Sequence, residues 1–217
     1  MKVPNRPEVT PQTLLRTYAA GIFPMAEGRN NPDIHWVDPS LRGVFPLHNF
    51  HISRSLRREI AKDNVTIRTN TAFSDVVEAC SDRPETWISG QIKNLYQSLH
   101  HTGFAHSLEV WREDKLVGGV YGVSLCAAFF GESMFSRATD ASKLALAFLI
   151  DRLRAGGYRL FDTQFLTPHL QSLGAVEITR TEYHRQLADA LRHDANFDPL
   201  DYGVSAAGIL QRSTHTS

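Results

Sequence analysis

Cysteine is scarce in this sequence, and its two residues are too far apart to form a motif. Cys80 and Cys126 make no CxxC pair among the 217 residues. A small domain held together by disulfides needs several cysteines at regular spacings. We therefore expect no disulfide framework, and a reducing compartment is the default expectation.

Long hydrophobic runs are also missing. No segment approaches the ~18 consecutive apolar residues that a membrane-spanning helix needs. The first residues, MKVPNRPEVTPQ, contain no apolar stretch of the kind found in signal peptides. These two absences predict a cytoplasmic protein with no membrane partner.

The chain has no excess of charge of either sign. Lys+Arg and Asp+Glu number 23 each, so the formal net charge is zero. A neutral chain is not a general polyanion binder, and any nucleic-acid role requires a local basic patch. What the sequence does contain is a 42% hydrophobic fraction over 217 residues. That is enough for one compact unit, or for a domain with a smaller N-terminal lobe.

Metal chemistry and covalent serine chemistry lack their usual motifs. The chain has ten histidines, but the adjacent pair His100–His101 does not have the i, i+4 spacing of metal ligands on a helix. Ser133 lies in GESMF, which is not the GxSxG nucleophile elbow. We therefore expect no metal site and no serine nucleophile.

The first 80 residues predict short helices around a long loop. TPQTLLRTYAA (10–20) predicts a helix with Thr10 as its N-cap and Pro11 in its first position. Residues 21–46 are rich in Gly, Pro and Asn but carry aromatic side chains, which predicts a packed loop. The further predicted elements are a helix over 53–62, a strand over 65–69, and a helix over 71–80 capped by Thr71.

From Ile88 onward the pattern is that of a mixed α+β domain. Ile88, Ile92, Leu95 and Leu99 follow helical spacing. The runs 107–113 and 115–125 predict a β-hairpin that turns at Glu113–Asp114. Further along the chain we expect strand AAFFGE, a helix over 139–157, a strand over 158–164, and helices over 167–173 and 181–194. This order fits a largely antiparallel sheet flanked by helices, as in acyltransferases of the GNAT type.

Two polar residues end the predicted strand 158–164. Asp162 and Gln164 are two positions apart, so their side chains should share one face of the sheet. Such a pair suits a reaction that orients an amine and needs only modest proton transfer. The alternative is that both are solvent-facing residues at a strand end, and spacing alone favours this alternative.

One carboxylate lies within an aromatic and thioether cluster. In FFGESMFS (129–136), Glu132 follows Phe129 and Phe130 and precedes Met134 and Phe135. Either Glu132 points to water by strand alternation, or it is buried and faces a pocket that binds a cation or sugar hydroxyls.

A basic stripe is predicted on the helix over 53–62. Arg54, Arg57, Arg58 and Lys62 fall at i, i+3, i+4 and i+8, so they share one helix face. Such a stripe can follow phosphates. The alternative is an ordinary solvated helix face.

Several motifs together resemble the leucyl/phenylalanyl-tRNA–protein transferase family, in order and with matching spacing from about residue 13 to about residue 190. The most specific combination is GESMFS followed by ASK and preceded by EVWREDKLVGGVYG. The motifs that carry the resemblance are YAAGIFPM (18–25), HWVDPSLRGVFP (35–46), FHISRSLRR (50–58), TWI (86–88), GFAHSLEVWREDKLVGGVYGV (103–123), FFGESMFS (129–136), ASKLAL (141–146) and DTQ…HLQSLGA (162–175).

The resemblance implies an aminoacyltransferase. Such enzymes take Leu or Phe, and some Met, from aminoacyl-tRNA. They attach it to the α-amine of proteins that begin with Arg or Lys, and so mark those proteins for degradation. The resemblance implies a small N-terminal lobe, here 1–62, and a GNAT-like aminoacyl-transfer domain, here 63–217. It also implies a monomer. No metal or organic cofactor is expected, because the tRNA ester is already activated.

The resemblance also implies site residues. Asp162 and Gln164 match the pair that handles the proton of the attacking amine, with Gln164 holding the amine and Asp162 orienting Gln164. The positions that match the aminoacyl and adenosine site are Glu132, Phe129, Gly131, Trp87, Trp36 and Tyr96. The positions that match the tRNA contact are Arg54, Arg57, Arg58 and Lys62.

The sequence departs from the family pattern at two places. Met25 stands where other members often have Trp, and the N-terminal segment is shorter. Two other functions remain open. An acetyl-CoA-dependent acetyltransferase would need a Gly-rich loop before the helix over 139–157, and SMFSRATDASKLAL contains no glycine. A tRNA- or peptide-binding module without catalysis would leave Asp162, Gln164 and Glu132 without a role.

Overall fold

A computed structural model describes residues 9–26, 28–29, 33–48, 50, 52–199 and 205–214. In this part of the chain the helices are α1 (Pro11–Ala19), α2 (Arg54–Ala61), α3 (Phe73–Ser81), α4 (Gly90–His101), α5 (Ala141–Ala155), α6 (Pro168–Ser172), α7 (Arg180–Ala190) and α8 (Ala206–Thr214). The strands are β1 (Phe23–Ala26), β2 (Ile34–Val37), β3 (Leu41–Phe45), β4 (Thr66–Thr69), β5 (Ala105–Arg112), β6 (Lys115–Leu125), β7 (Ala128–Ser136), β8 (Leu160–Gln164) and β9 (Val176–Thr179).

The helix starts follow capping chemistry. Thr10 accepts a hydrogen bond from the backbone of Thr13 in α1, with Pro11 in the first turn, as predicted. The prediction that Thr71 caps α3 is wrong. The helix begins at Phe73, and Ala72 at its N-cap makes no side-chain cap bond. The hydroxyl and backbone N–H of Thr71 donate instead to Glu109, a buried carboxylate whose charge they compensate.

Residues 21–46 are not one packed loop as predicted. They contain the antiparallel pair β1 and β2 and the strand β3. The strands have only four or five residues and carry Pro24 and Gly43, and such residues hide a strand pattern in the sequence. The short strand β9 and the helix α8 were also not predicted, because neither has a distinctive apolar period.

The main sheet has seven strands in the order β4-β5-β6-β7-β8-β3-β9. All neighbouring pairs are antiparallel except β7 with β8. The predicted hairpin turn at Glu113–Asp114 joins β5 to β6, and both residues have positive φ. The predicted α+β class is confirmed.

Strand β3 comes from the N-terminal part of the chain and pairs with two strands of the C-terminal part. It pairs with β8 through Phe45↔Phe161 and with β9 through Arg42↔Ile178. Residues before position 62 therefore complete the sheet of the C-terminal part. The division of the chain into 1–62 and 63–217 remains a prediction.

Each face of the sheet buries its own hydrophobic core. One core contains Tyr18 of α1, Leu95 of α4 and Leu187 of α7. The other contains Leu56 of α2 and the apolar face of α5, including Leu146. In the described part of the chain, no helix is long and apolar enough to cross a membrane.

Candidate active site between strands β7 and β8

The candidate site lies where the only parallel pair of the sheet separates. Strands β7 and β8 pair from Ala128↔Leu160 to Phe130↔Asp162, and the pairing ends there. The gap beyond this point opens into a cavity of about 430 Å³. Gly131 and Glu132 line the cavity from β7, and Thr163 and Gln164 line it from β8.

The end of β8 has an unusual backbone that turns it away from β7. Gln164 has a φ of 59°, in the left-handed region, and the pairing with β3 shifts register next to it, between Gly43 and Val44. A Cβ at Gly43 would lie 2.8 Å from the backbone N of Leu166. Gly43 therefore allows the chain after β8 to cross closely over β3.

The cavity combines an apolar wall with few charged groups. Its charged or titratable lining residues, among those described, are Arg83, Glu132 and His169. Its other lining residues are mainly apolar and include Phe23, Met25, Trp87, Val120, Met134, Leu146, Phe161, Phe165 and Leu170. A pocket of this composition suits a hydrophobic side chain with a polar group at one end.

Glu132 is held in this cavity by two tyrosines. The hydroxyl of Tyr18 donates to Oε1 at 2.7 Å, and that of Tyr96 donates to Oε2 at 2.6 Å. Burial raises the pKa of Glu132 to about 7, although both tyrosine hydrogen bonds oppose the shift. Burial, followed by the charge of Glu132, raises the pKa of both tyrosines well above their usual value. The tyrosines therefore stay neutral donors, and Glu132 titrates near neutral pH.

Asp162 does not face solvent, and the alternative of two solvent-facing residues is wrong. Asp162 is fully buried and Gln164 is 8% exposed. Nε and Nη2 of Arg42 donate to the Asp162 carboxylate at 2.9 and 2.6 Å, and Tyr183 donates to it at 2.8 Å. The backbone N–H of Gln164 is a further donor, at 2.8 Å. Asp162 thus fixes the backbone of Gln164 and is itself screened from the cavity.

Gln164 connects this buried pair to the cavity. Its Nε2 donates to Oε1 of Glu132 at 3.4 Å, a long hydrogen bond. The side-chain amide therefore lies beside the one carboxylate of the cavity wall among the described residues. An amine that binds beside this contact has two kinds of acceptor there, the Glu132 carboxylate and the carbonyl oxygen of the Gln164 side chain.

The structure brings some of the predicted site residues together and separates others. Trp87 and Gly131 line the cavity together with Glu132 and Gln164. Tyr96 lies behind Glu132. Phe129 and Trp36 do not line it. Phe129 is buried on the α5 side of the sheet against Phe161 and Phe197, and Trp36 is 40% exposed on β2.

The predicted basic stripe lies on α2 and does not line the cavity. Arg54 and Arg58 are exposed, while Leu56 and Ile60 on the other face are buried. Lys62 forms an ion pair with Glu59. The stripe is thus a solvent-facing surface whose last cation is partly neutralised.

Three residues of the site were not predicted from the sequence. Tyr18 looked like an ordinary helix residue. Arg42 had a signal that could have been used, because a lone charge inside the apolar strand LRGVF implies a buried partner. Tyr183 carried no signal, since its partner Asp162 is reached only through the fold.

The fold agrees with that of a solved structure. The structure titled "Crystal structure of FemX" superposes with a TM-score of 0.50 at 12% sequence identity. The match covers 77% of this chain and 65% of that one, a little under two thirds of its length. At this identity the likeness shows the fold alone.

Sequence relatives are far closer. A leucyl/phenylalanyl-tRNA–protein transferase of Cereibacter sphaeroides is 63% identical over 97% of this chain and 99% of its own length. One from Ruegeria sp. is 59% identical over 94% of this chain and 97% of its own length. The family profiles "Leucyl/phenylalanyl-tRNA protein transferase" and its N-terminal domain match residues 44–188 and 8–40. The chain belongs to the leucyl/phenylalanyl-tRNA–protein transferase family and is an aminoacyltransferase.

Proposed function

We propose that the cavity between β7 and β8 is where this aminoacyltransferase moves Leu or Phe, and some Met, from tRNA to the N-terminal amine of proteins that begin with Arg or Lys. The transfer takes place in the cytoplasm, on a monomer, and marks the product for degradation. The observation that carries this proposal is the contact of Glu132 with Tyr18, Tyr96 and Gln164 beside an apolar wall.

The apolar wall receives the side chain of the donor amino acid. Val120, Leu146 and Phe161 lie at this wall. A hydrophobic pocket distinguishes one methylene by only about 1–3 kcal/mol. Leu, Phe and Met are therefore all accepted, and β-branched side chains are excluded by shape.

The acceptor amine is placed beside Gln164 and Glu132. An N-terminal amine has a pKa of roughly 7.7–8, so a useful fraction is neutral at pH 7. The Gln164 carbonyl accepts a hydrogen bond from the amine, and Glu132 accepts its proton as the C–N bond forms. Asp162 acts only as a positioning residue, through the backbone N–H of Gln164.

The same proton then reaches the leaving group. The bond from the aminoacyl carbonyl to the ribose oxygen breaks, and this oxygen needs a proton. Glu132, with a pKa of about 7, is acidic enough to donate the proton that it has just received. The step is balanced without a cofactor, since the tRNA ester supplies the activated acyl group.

Binding residues outside the chemical step complete the proposal. Before proton transfer, the ionised carboxylate of Glu132 also attracts the Arg or Lys side chain of the acceptor. Trp87 offers a ring at the cavity wall for the terminal adenosine. The stripe of Arg54, Arg57, Arg58 and Lys62 contacts the tRNA backbone without reading sequence.

The test is transfer of labelled Leu from leucyl-tRNA to a peptide that begins with Arg, with no cofactor added. We expect transfer by the wild type and a loss of about 100-fold or more in Gln164→Ala, the size expected when a positioned polar group is removed. Gln171→Ala is the matched control, because Gln171 is exposed on α6 and does not line the cavity. Activity that appears only with acetyl-CoA would overturn the proposal.

A further inference from the structure

We propose that Arg83 and Arg137 form a binding site for the phosphodiester backbone at the 3′ end of the donor tRNA. This inference rests on the proposed function. It assigns a ligand to a second cavity of about 420 Å³, which is contiguous with the first and shares Arg83, Met134 and His169 with it.

The first cavity carries charges of both signs. Glu132 is the one carboxylate and Arg83 the one guanidinium among its described lining residues. Burial, and then the charge of Lys143, lowers the pKa of His169, so His169 adds no positive charge at neutral pH. A cationic amine is thus drawn toward Glu132, and a phosphate is drawn toward Arg83.

The second cavity extends this positive end. It adds the guanidinium of Arg137 and the hydroxyls of Ser136 and Ser142 to its wall. Asp82 also lines it, 4.0 Å from Arg137, but its side chain is 77% exposed and therefore well screened by water. The polar wall contrasts with the apolar wall of the first cavity.

Arg83 is fixed before any ligand arrives. Its Nε donates to the carbonyl of Cys80 at 2.9 Å, and its Nη2 donates to Ser133 Oγ and to the carbonyl of Met134 at 3.1 and 3.0 Å. Nη1 has no hydrogen-bond partner among the described residues. A guanidinium held in this way loses little entropy when it binds a phosphate oxygen. Arg29 adds a further cation by donating to the carbonyl of Arg83 at 3.2 Å.

The chemistry of the donor fits this arrangement. The aminoacyl ester and the 5′ phosphate are attached to the same ribose. When the amino acid side chain occupies the apolar wall, the phosphate must therefore lie within one nucleotide of it. The second cavity is the adjacent space that carries positive charge.

Contacts connect the second cavity to the hairpin of β5 and β6, and that hairpin to α2. The backbone N–H of Arg137 donates to the carbonyl of Val117 near the turn between β5 and β6. At the end of β5, just before this turn, Arg112 forms an ion pair with Glu59 of α2 at 3.3 Å. These contacts place Arg137 and Glu59 of α2 at the same hairpin of the sheet.

The test compares two donors, leucyl-tRNA and leucyl-adenosine, which has the same ester but no phosphate. Arg137→Gln should lower the ratio of kcat/KM for leucyl-tRNA to that for leucyl-adenosine roughly tenfold. Arg137→Lys, which keeps the charge, should keep most of this ratio. Arg83→Gln should lower the ratio as well. Because Arg83 also donates hydrogen bonds to the backbone at Cys80 and Met134, thermal unfolding must show that the Arg83→Gln variant is folded. Arg192→Gln is the matched control, since Arg192 is 70% exposed after α7.

An equal fall with both donors, or an unchanged ratio in Arg83→Gln and Arg137→Gln, would overturn the phosphate site. A wild type that transfers from neither donor would contradict the proposed function instead. Binding of the trinucleotide CCA, measured by fluorescence anisotropy, needs no turnover. It should weaken roughly tenfold in Arg137→Gln and stay at the wild-type value in Arg192→Gln, and equal binding by both variants would also overturn the site.

Discussion

The carboxylate of Asp162 and the guanidinium of Arg42 form a two-point ion pair in which both side chains are fully buried. The guanidinium also lies 4.4 Å from the ring centre of Phe23 and 4.3 Å from that of Tyr183. The pair connects β3 to β8 directly beside Gln164. It explains why the Asp162 carboxylate, although next to the site, is bound by Arg42 and Tyr183 and does not face the cavity.

Removing one partner of this ion pair should destabilise the folded protein. Arg42→Met leaves the Asp162 carboxylate buried without its countercharge, and we expect a loss of about 3–5 kcal/mol in the free energy of unfolding. Urea denaturation measures this loss. The double variant Arg42→Met/Asp162→Leu removes both charges and should lose less than the sum of the two single variants. Strict additivity would contradict the direct coupling of the two side chains.

Ionisation of Glu132 should lower the free energy of unfolding at neutral pH. Its folded pKa of about 7 lies above the usual value of 4.5, so ionisation disfavours the folded state. The wild type is therefore expected to lose up to about 3 kcal/mol between pH 4.5 and pH 7.5 relative to Glu132→Gln. Chemical denaturation at pH 5 and pH 8 measures the difference. Glu85→Gln, at an exposed position, serves as the control, and Glu132→Gln should also lose transfer activity.

The tyrosine pair should set the pH dependence of transfer. The hydrogen bonds from Tyr96 and Tyr18 lower the pKa of Glu132. Tyr96→Phe should therefore raise that pKa and move the acidic limb of the kcat/KM profile to higher pH by about one unit. The same acceptor peptide is used throughout, so that its amine contributes equally. Tyr158→Phe, which removes a hydroxyl paired with Ser124, should leave the limb in place.

The donor preference should follow the volume of the apolar wall. Val120→Ala removes two methyl groups from this wall, and the added space favours the larger side chain of Phe. We expect the kcat/KM ratio of phenylalanyl-tRNA to leucyl-tRNA to rise roughly tenfold. Competition between the two charged tRNAs measures the ratio. A ratio that falls would place the amino acid side chain elsewhere.

The basic residues in and next to α2 should contribute unequally to tRNA binding. Arg54 and Arg58 are exposed, whereas Lys62 is paired with Glu59. Arg58→Gln should therefore reduce the salt dependence of tRNA binding by about one unit of slope, and Lys62→Gln by less. Filter binding over a range of salt concentrations measures both slopes. Equal slopes for the wild type and Arg58→Gln would remove α2 from the tRNA contact.

The sequence predicts those parts of the fold that depend on local pattern. The long helix α5, the hairpin β5–β6 and the cap at Thr10 all follow from neighbouring residues. Strand β3 could not be placed from its sequence, because its partners β8 and β9 lie more than 100 residues away along the chain. Whether Glu132 faces water or is buried also depends on residues that are distant along the chain. Its tyrosine partners come from α1 and α4, and no spacing rule brings these helices to β7.

The insertion of β3 between β8 and β9 has a consequence for protein synthesis. Residues 41–45 leave the ribosome long before residues 160–179, so their edges remain unpaired while most of the chain is made. The loop that must close is long, and contacts of this separation slow folding. We expect the Arg42–Asp162 pair and the cavity beside it to form only after translation has passed β9. A nascent chain that stops before β8 would then contain α1 to α5 and still lack a site for its donor.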